Sequence, residues 1–375
     1  PLPLRFPITS IALDVAGVCN LKCVYCAEAV TQPKRKPMSK KVMEKALEAL
    51  FAWAPEGSDI SIHLGSGEPL LQPETVQEIG FKAREMARGR HKLRLYLTTN
   101  GTLLTDDICT WLIRDEWSVK VSLDGTAQIH DKNRRDAQGG TYKRIEGYIL
   151  KLAQKIPDLL STTSVLCRGT DPQDVFYGIH NLGVRRMEFV PVAAEYPSAL
   201  VLNEKDIARY QKFLSDYTHR IVHGESLPFL VRFTKRVQRV LGFGNSRVAC
   251  GAGRNFISIG PDGVLYPCFR FIGVSRYELG TLNSMDSHLL QKFMEEAGRP
   301  YDKRKACLNC WAAPLCGGPC FACAELLYYR NGEPSPDFCS MMKADCEAAV
   351  WLVQELREEN PEQLVAFMGI SLEEE

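Results

Sequence analysis

Ten residues constrain this chain more than any others: Gly17-Val18-Cys19-Asn20-Leu21-Lys22-Cys23-Val24-Tyr25-Cys26. Three cysteines stand within eight residues at the spacing C-x₃-C-x₂-C, directly after the apolar run Ile11-Ala12-Leu13-Asp14-Val15. Thiolates this close can wrap one metal centre from a single loop. An iron–sulfur cube takes four ligands. A loop that offers three leaves one iron open, and an open coordination position marks a working site rather than a structural one. A zinc knuckle or three unrelated buried cysteines are the plainer readings. Against them, zinc sites pair C-x₂-C with a second such pair or with histidines.

The rest of the cysteine pattern points the same way. The 375-residue chain has 14 cysteines. In a small secreted chain they would read as disulfides; clustered in a long cytosolic chain, they read as metal ligands. Hydrophobic content of 45% and charged content of 24% are those of an ordinary globular protein, of a length for one large domain and a lesser one. A net charge of +1 gives no reason to expect a nucleic-acid partner or a membrane surface. No apolar run reaches the roughly 20 residues that span a bilayer. The start, Pro1-Leu2-Pro3-Leu4-Arg5-Phe6-Pro7, lacks the apolar core of a signal peptide. A cytoplasmic protein is expected.

From residue 9 to about 192 apolar β-rich runs alternate with helical periodicity. Strands are predicted at Thr9–Val15, Asp59–Leu64, Leu93–Thr98, Ser118–Leu123, Ser161–Cys167 and Arg186–Val192. Helices are predicted at Lys40–Trp53, with Ser39 as N-cap, and at Glu74–Arg88, Asp106–Asp115 and Tyr142–Gln154. Repeated βα units give a parallel sheet. Six of them make an open, partial (β/α)6 TIM-like barrel, whose function gathers at the C-terminal strand ends. Three motifs fall there: Gly65-Ser66-Gly67-Glu68-Pro69, Thr98-Thr99-Asn100-Gly101 and Ser122-Leu123-Asp124-Gly125. His63 and His180 read as structural, and Cys109 and Cys167 as core.

Residues 195–246 read as a helical connector, with helices at Glu204–Asp216 and Thr234–Leu241. Cysteines then return. Cys250 and Cys268 bracket two apolar runs around Pro261-Asp262-Gly263, a hairpin signal. Cys307-x₂-Cys310-x₅-Cys316-x₃-Cys320 follows, then Cys339, with Cys323 and Cys346 as extras. Alone, the four-cysteine run also suits a zinc ribbon. A closing helix over Met342–Leu356 leads to an acidic tail, read as a solvated helix end.

The Cys19/Cys23/Cys26 spacing resembles the signature of radical S-adenosylmethionine (radical SAM) enzymes. Cys250, Gly263 shortly before Cys268, the four-cysteine run and Cys339 resemble the SPASM branch of that family. The resemblance implies a partial barrel (1–194), the connector (195–246), a small cysteine-rich SPASM domain with a β-hairpin (247–346), and a C-terminal helix and acidic tail (347–375). It implies three [4Fe–4S] clusters and SAM as cofactors. In such enzymes Cys19, Cys23 and Cys26 would hold the cluster that cleaves SAM to a 5′-deoxyadenosyl radical. Cys307, Cys310, Cys316 and Cys339 would hold one auxiliary cluster; Cys250, Cys268 and Cys320 would supply another. Either Cys323 or Cys346 completes that last set, or one iron is open. Ser66, Gly67 and Glu68 match the GGE-type motif that holds the SAM amino group, with Ser66 in place of its first Gly. Asn100 and Ser122 lie in strand-end motifs toward SAM, Arg134 is a candidate partner for the SAM carboxylate, and Tyr25 one for its adenine.

Enzymes of this layout modify peptides or proteins. The resemblance favours oxidative crosslinking of a ribosomally made peptide, through a thioether or carbon–carbon bond, with the auxiliary clusters accepting the electron. Sulfatase-maturing relatives, which form formylglycine, carry an Asp directly after the cysteine matching Cys268; here Phe269-Arg270 follows it. A non-catalytic iron–sulfur electron carrier is the alternative of another class. The partners implied are a peptide or protein substrate and a one-electron donor such as flavodoxin or ferredoxin. With no room for a leader-binding domain before residue 9, leader recognition would fall to a separate protein or to a direct groove. The residue attacked and the catalytic base are not legible.

Overall fold

The computed structural model of the chain describes residues 7–31, 34–195, 197–244, 250–297, 301–328 and 332–368. The proline-rich start and the last acidic residues lie outside them. The fold is mixed α/β with a parallel sheet at its core.

The chain forms two compact units. The first draws on residues up to Ser122, on Asp131–Ser161 and on the stretch that begins at Gly251. Its parallel strands are β1 (Ser10–Leu13), β2 (Asp59–Leu64), β3 (Lys92–Thr99) and β4 (Ser118–Ser122), paired in that order. Along β2 the side chains alternate: Ile60, Ile62 and Leu64 are buried, and Ser61 and His63 are half-buried on the opposite face. The apolar face receives helices. In α2 (Lys40–Trp53) Met43, Ala46, Leu47, Leu50 and Phe51 are buried, and the Ser39 hydroxyl accepts the Val42 N–H at 3.3 Å as its N-cap. Each fully buried Leu or Ile contributes roughly 1.5–3 kcal/mol. Next come α3 (Pro73–Ala87), α4 (Asp106–Arg114), the end of α5 (Ala127–Asn133), whose first four residues belong to the second unit, and α6 (Tyr142–Lys155).

The second unit holds most of β5 (Leu160–Leu166), parallel to β6 (Arg186–Pro191), with the short β7 (Phe229–Leu230) beside β6. It also holds α7 (Pro172–His180), α8 (Glu204–Val222) and α9 (Val231–Val240). A capping box between Asn203 and Asp206 starts α8. The segment expected to be a connector is more than a link: α8 and α9 both pack on α13 (Pro336–Glu359). Tyr210, Phe213, Tyr217 and Phe233 are buried from their side. The closing helix is thus longer at both ends than Met342–Leu356, and Pro361 opens a further helix, α14 (Pro361–Met368).

The expected hairpin exists as β8 (Phe256–Ile259) and β9 (Leu265–Tyr266), antiparallel around Gly260–Val264. Its place differs from the boundary expected at 247. Strand β8 lies parallel to β1, with Ile257 opposite Ile11 and Ile259 opposite Leu13. It fills the free edge of β1, which is why β1 is buried along its whole length. The hairpin therefore belongs to the first unit, while the four-cysteine run belongs to the second.

Candidate functional site

Beyond β1 the cysteine loop is pinned at its start. Asp14, with no solvent exposure, accepts the Gly17 N–H at 2.8 Å and the Arg35 guanidinium at 2.5 Å. Gly17 has φ +69°, and a Cβ there would meet the Arg35 carbonyl at 2.7 Å. Further along, Lys22 N–H donates to Arg135 O at 2.8 Å and Val24 N–H to Asn133 O at 3.0 Å. These two bonds bring Arg134 to Tyr25: the guanidinium lies 5.3 Å from the ring centroid, in cation–π contact. Arg134 is buried.

The second motif packs directly on this loop. Glu68 N–H donates to Val18 O at 3.0 Å, and Gly67 N–H donates to the Glu28 carboxylate at 2.9 Å. Gly67 has φ +62°, and a Cβ there would overlap the Val18 carbonyl. The Glu68 side chain turns inward with no exposure. One oxygen accepts Leu70 N–H (3.0 Å) and the Thr99 hydroxyl (2.8 Å); the other accepts Asn100 N–H at 2.7 Å. That carboxylate is spent on the protein itself, so what the motif presents to a ligand is backbone. Burial pushes the Glu68 pKa up to about 7 against these hydrogen bonds, and raises that of Glu28 as well.

Asn100 joins the two motifs. Its side-chain amide donates to Asn20 Oδ1 at 2.8 Å and lies 3.8 Å from Cys19 Sγ; Leu21 N–H points at the same sulfur at 3.4 Å. Asn20 in turn donates to the Thr102 hydroxyl at 2.9 Å. Ser122 ends β4, half-buried. Ser66 is buried, and its hydroxyl has no hydrogen-bond partner among the described residues. An orphaned hydroxyl in a glycine turn beside three thiols fits a polar ligand. Asp14, Asn20, Glu28 and Arg35 went unread in the sequence. Only the position of Asp14, at the end of an apolar strand, hinted at such a role.

In the second unit, Cys307, Cys310, Cys316 and Cys339 line one hollow of about 340 Å³, open in part to solvent, with Phe338 and Lys343. Cys316 ends the one-turn helix α11 (Ala313–Cys316), and Cys339 stands in the first turn of α13. Burial and the neighbouring thiols push Cys307 up to about 11 and Cys339 to about 12, so metal binding here would release protons. Among the described residues no group of three or more His, Cys, Asp or Glu side chains is placed to hold a single metal ion. Thiols spread around a hollow suit the corners of a cube better.

Of the other cysteines, Cys268 stands in the first unit, before the 3-10 turn Phe269–Phe271, where the Arg270 guanidinium lies 5.5 Å from the Phe269 ring. Cys250 and Cys320 stand in the second unit. Cys320 caps α12 (Phe321–Leu326), and Cys323 follows within it; both act on the buried Tyr328. Cys346 is fully buried, within electrostatic reach of Arg236, Cys316 and Arg239, and is not among the residues that line the four-thiol hollow. Cys109 and Cys167 are buried. His63 stacks on Tyr96, and His180 on Phe176. Among the described residues no helix is long and apolar enough to cross a membrane.

Comparison with known proteins gives a match to the radical SAM superfamily over residues 14–176. A serine-type anaerobic sulfatase-maturating enzyme of Bacteroides thetaiotaomicron is 31% identical over 153 residues, 36% of this chain and only 34% of that protein. A cysteine-type enzyme of the same description from Clostridium perfringens is 24% identical over 345 residues, 85% of this chain and 90% of that one. The radical SAM cyclopropyl synthase TigE of Paramaledivibacter caminithermalis is 23% identical over 90% of this chain and 72% of its own. Among solved structures, anSMEcpe with bound AdoMet superposes with a TM-score of 0.77 at 21% identity, covering 96% of this chain and 98% of that one. Streptococcus suis SuiB bound to its precursor peptide SuiA gives 0.61 at 16% identity, covering 88% and 76%. The shared fold is the partial TIM-like barrel expected from the strand pattern.

Proposed function

Residues 14–176 are a radical SAM domain, and from that premise we propose that the chain is an enzyme that modifies a residue of a peptide or protein by hydrogen-atom abstraction. When bound, the loop cluster and SAM supply a 5′-deoxyadenosyl radical that takes the hydrogen. The observation that carries the reading is the convergence on one loop of three thiols, the Gly67 turn, the orphaned Ser66 hydroxyl and the Arg134–Tyr25 pair. Cys19, Cys23 and Cys26 would ligate the cluster. The backbone at Ser66 and Gly67, with Ser122, would meet the polar end of SAM, and Arg134 its carboxylate. Glu68 and Asn100 position these groups. An electron carrier has no use for such a pocket.

The finer reading is oxidative crosslinking of a ribosomally made peptide. Bond closure releases an electron, for which Cys307, Cys310, Cys316 and Cys339 would hold an acceptor. Phe269-Arg270 after Cys268 favours this reading, since no carboxylate stands there to act as base. Formylglycine formation on a sulfatase is favoured instead by the likeness, along most of the chain, to sulfatase-maturating enzymes. Both readings need an external one-electron donor of the flavodoxin or ferredoxin type. Crosslinking adds a precursor peptide, delivered directly or by a leader-binding protein. Anaerobic incubation with SAM and dithionite tests them, using a precursor peptide and a sulfatase-derived Cys or Ser peptide. Loss of a hydrogen pair without an aldehyde supports crosslinking. An aldehyde that reacts with hydrazide supports sulfatase maturation. Uncleaved SAM contradicts both.

A further inference from the structure

The cysteine loop has an outer side as well as an inner one. Lys22 and Val24, the two neighbours of Cys23, are exposed, Val24 to 46%, while Cys23 and Tyr25 are half-buried. The bond from Lys22 N–H to Arg135 O sets Lys22 beside Arg135. Arg134 turns inward to Tyr25, but Arg135 is exposed, and its guanidinium donates to the Lys132 carbonyl at 2.9 Å. Lys132 is exposed as well. All of these residues belong to the first unit.

Three cations thus stand around the outer side of the loop. Among the described residues no ion pair joins Lys22, Lys132 or Arg135 to a carboxylate. The carboxylates on the segments bonded to the loop are engaged elsewhere. Asp131 accepts Thr141 N–H at 2.7 Å and Tyr142 N–H at 2.8 Å. Asp136 accepts the Arg144 guanidinium and, at 2.8 Å, Gln138 N–H. Glu28 accepts Gly67 N–H. The loop itself, Gly17–Cys26, has no carboxylate. A single exposed Val is ordinary on a protein surface. Here it stands within a basic rim, one residue from a cysteine of the loop, and an apolar centre with a charged rim is the anatomy of a docking face.

We propose that Lys22, Lys132 and Arg135, around Val24, form the docking face for the one-electron donor, a small carrier protein whose redox group is rimmed by carboxylates. The carrier loses one electron and the loop cluster gains it; no bond forms. Cys23, between Lys22 and Val24, puts the cluster directly behind this face. Electron-transfer encounters are small and brief, and complementary charge speeds arrival without holding the partner. This rests on the reading of Cys19, Cys23 and Cys26 as ligands of that cluster.

The test is stopped-flow oxidation of reduced flavodoxin by the reconstituted enzyme, in wild type, Lys22→Glu/Arg135→Glu and the charge-matched Lys303→Glu/Lys305→Glu. Lys303 and Lys305 are exposed in the second unit, beside Cys307. In Lys22→Glu/Arg135→Glu the second-order rate at low salt falls about tenfold and loses most of its salt dependence. Flavodoxin-driven 5′-deoxyadenosine production falls with it. Production driven by dithionite, which needs no docking face, stays at the wild-type rate. Lys303→Glu/Lys305→Glu behaves as wild type. If iron analysis shows that Glu at 22 costs the loop its cluster, Lys132→Glu/Arg135→Glu carries the same expectation. Equal loss in the two charge-reversed proteins, loss only in Lys303→Glu/Lys305→Glu, an equal loss with dithionite, or an unchanged rate overturns the proposal alone. Wild type that cleaves no SAM under dithionite overturns the reading beneath it.

Discussion

Asn100 donates its backbone N–H to the buried Glu68 carboxylate at 2.7 Å, and its side chain reaches the loop residue Asn20 at 2.8 Å. One residue at the end of β3 thereby locks the glycine turn to the cysteine loop. The consequences can be measured.

Glu68→Gln replaces an acceptor oxygen by an amide NH₂ that faces a donor. One buried N–H or hydroxyl loses its partner, at a cost of about 1–3 kcal/mol at pH 8. The pH dependence has a definite sign. Burial raises the Glu68 pKa from 4.5 to about 7, so the folded state holds the proton longer than the unfolded chain does. Wild-type stability relative to the variant is therefore greatest below pH 4.5, falls as pH rises toward 7, and is flat above it. Urea denaturation of both proteins across this range reads the difference.

Arg35→Met leaves the Asp14 carboxylate buried with only the Gly17 N–H of its two bonds here. Breaking a buried pair from one side costs about 3–5 kcal/mol. The melting temperature falls, and the loop loses its cluster on reconstitution before the four-thiol hollow does. Iron analysis of the variant checks the order.

Gly67→Ala puts a Cβ into the Val18 carbonyl at a backbone angle that L-residues avoid, a strain of about 1–3 kcal/mol. The turn must shift, and SAM affinity falls by about tenfold or more. Equilibrium dialysis with labelled SAM measures it. Unchanged affinity would remove this turn from the SAM site.

Tyr210→Phe takes away the hydroxyl that Asp345 accepts at 2.6 Å, leaving a carboxylate whose other oxygen has no hydrogen-bond partner among the described residues. A charged hydrogen bond of this kind is worth about 1.5–3 kcal/mol. Stability to urea drops by that order, while iron content stays at the wild-type value.

The sheet was legible because its signals are local. Each of the six strands predicted between residues 9 and 192 is an apolar run bounded by turn residues and overlaps an observed strand, whereas the two-residue β7 (Phe229–Leu230) has no such run and falls in the stretch that reads as a helical connector. The cysteine loop and the Gly67 turn were legible because their spacing is their chemistry. Partners that meet through the fold were not. Arg134 reads as a candidate for the SAM carboxylate, but its contact with Tyr25, carried by the Lys22–Arg135 and Val24–Asn133 bonds, was not legible. Glu68 reads as a ligand until its three internal donors are seen. The edge filled by β8 lies more than two hundred residues from β1 in sequence, and no periodicity reports a pairing at that distance. Cys346 comes within electrostatic reach of Cys316 because α13 runs past α11, which spacing along one helix does not reveal.

The most direct measurement is iron content together with 5′-deoxyadenosine production under dithionite, for wild type and for the variant with Cys19, Cys23 and Cys26 all replaced by Ala. Wild type is predicted to hold about twelve irons, as three cubes, and to release 5′-deoxyadenosine. The variant is predicted to keep about eight irons and release none. Equal iron in the two proteins, or 5′-deoxyadenosine from the variant, would contradict the assignment of the loop as the site of radical generation.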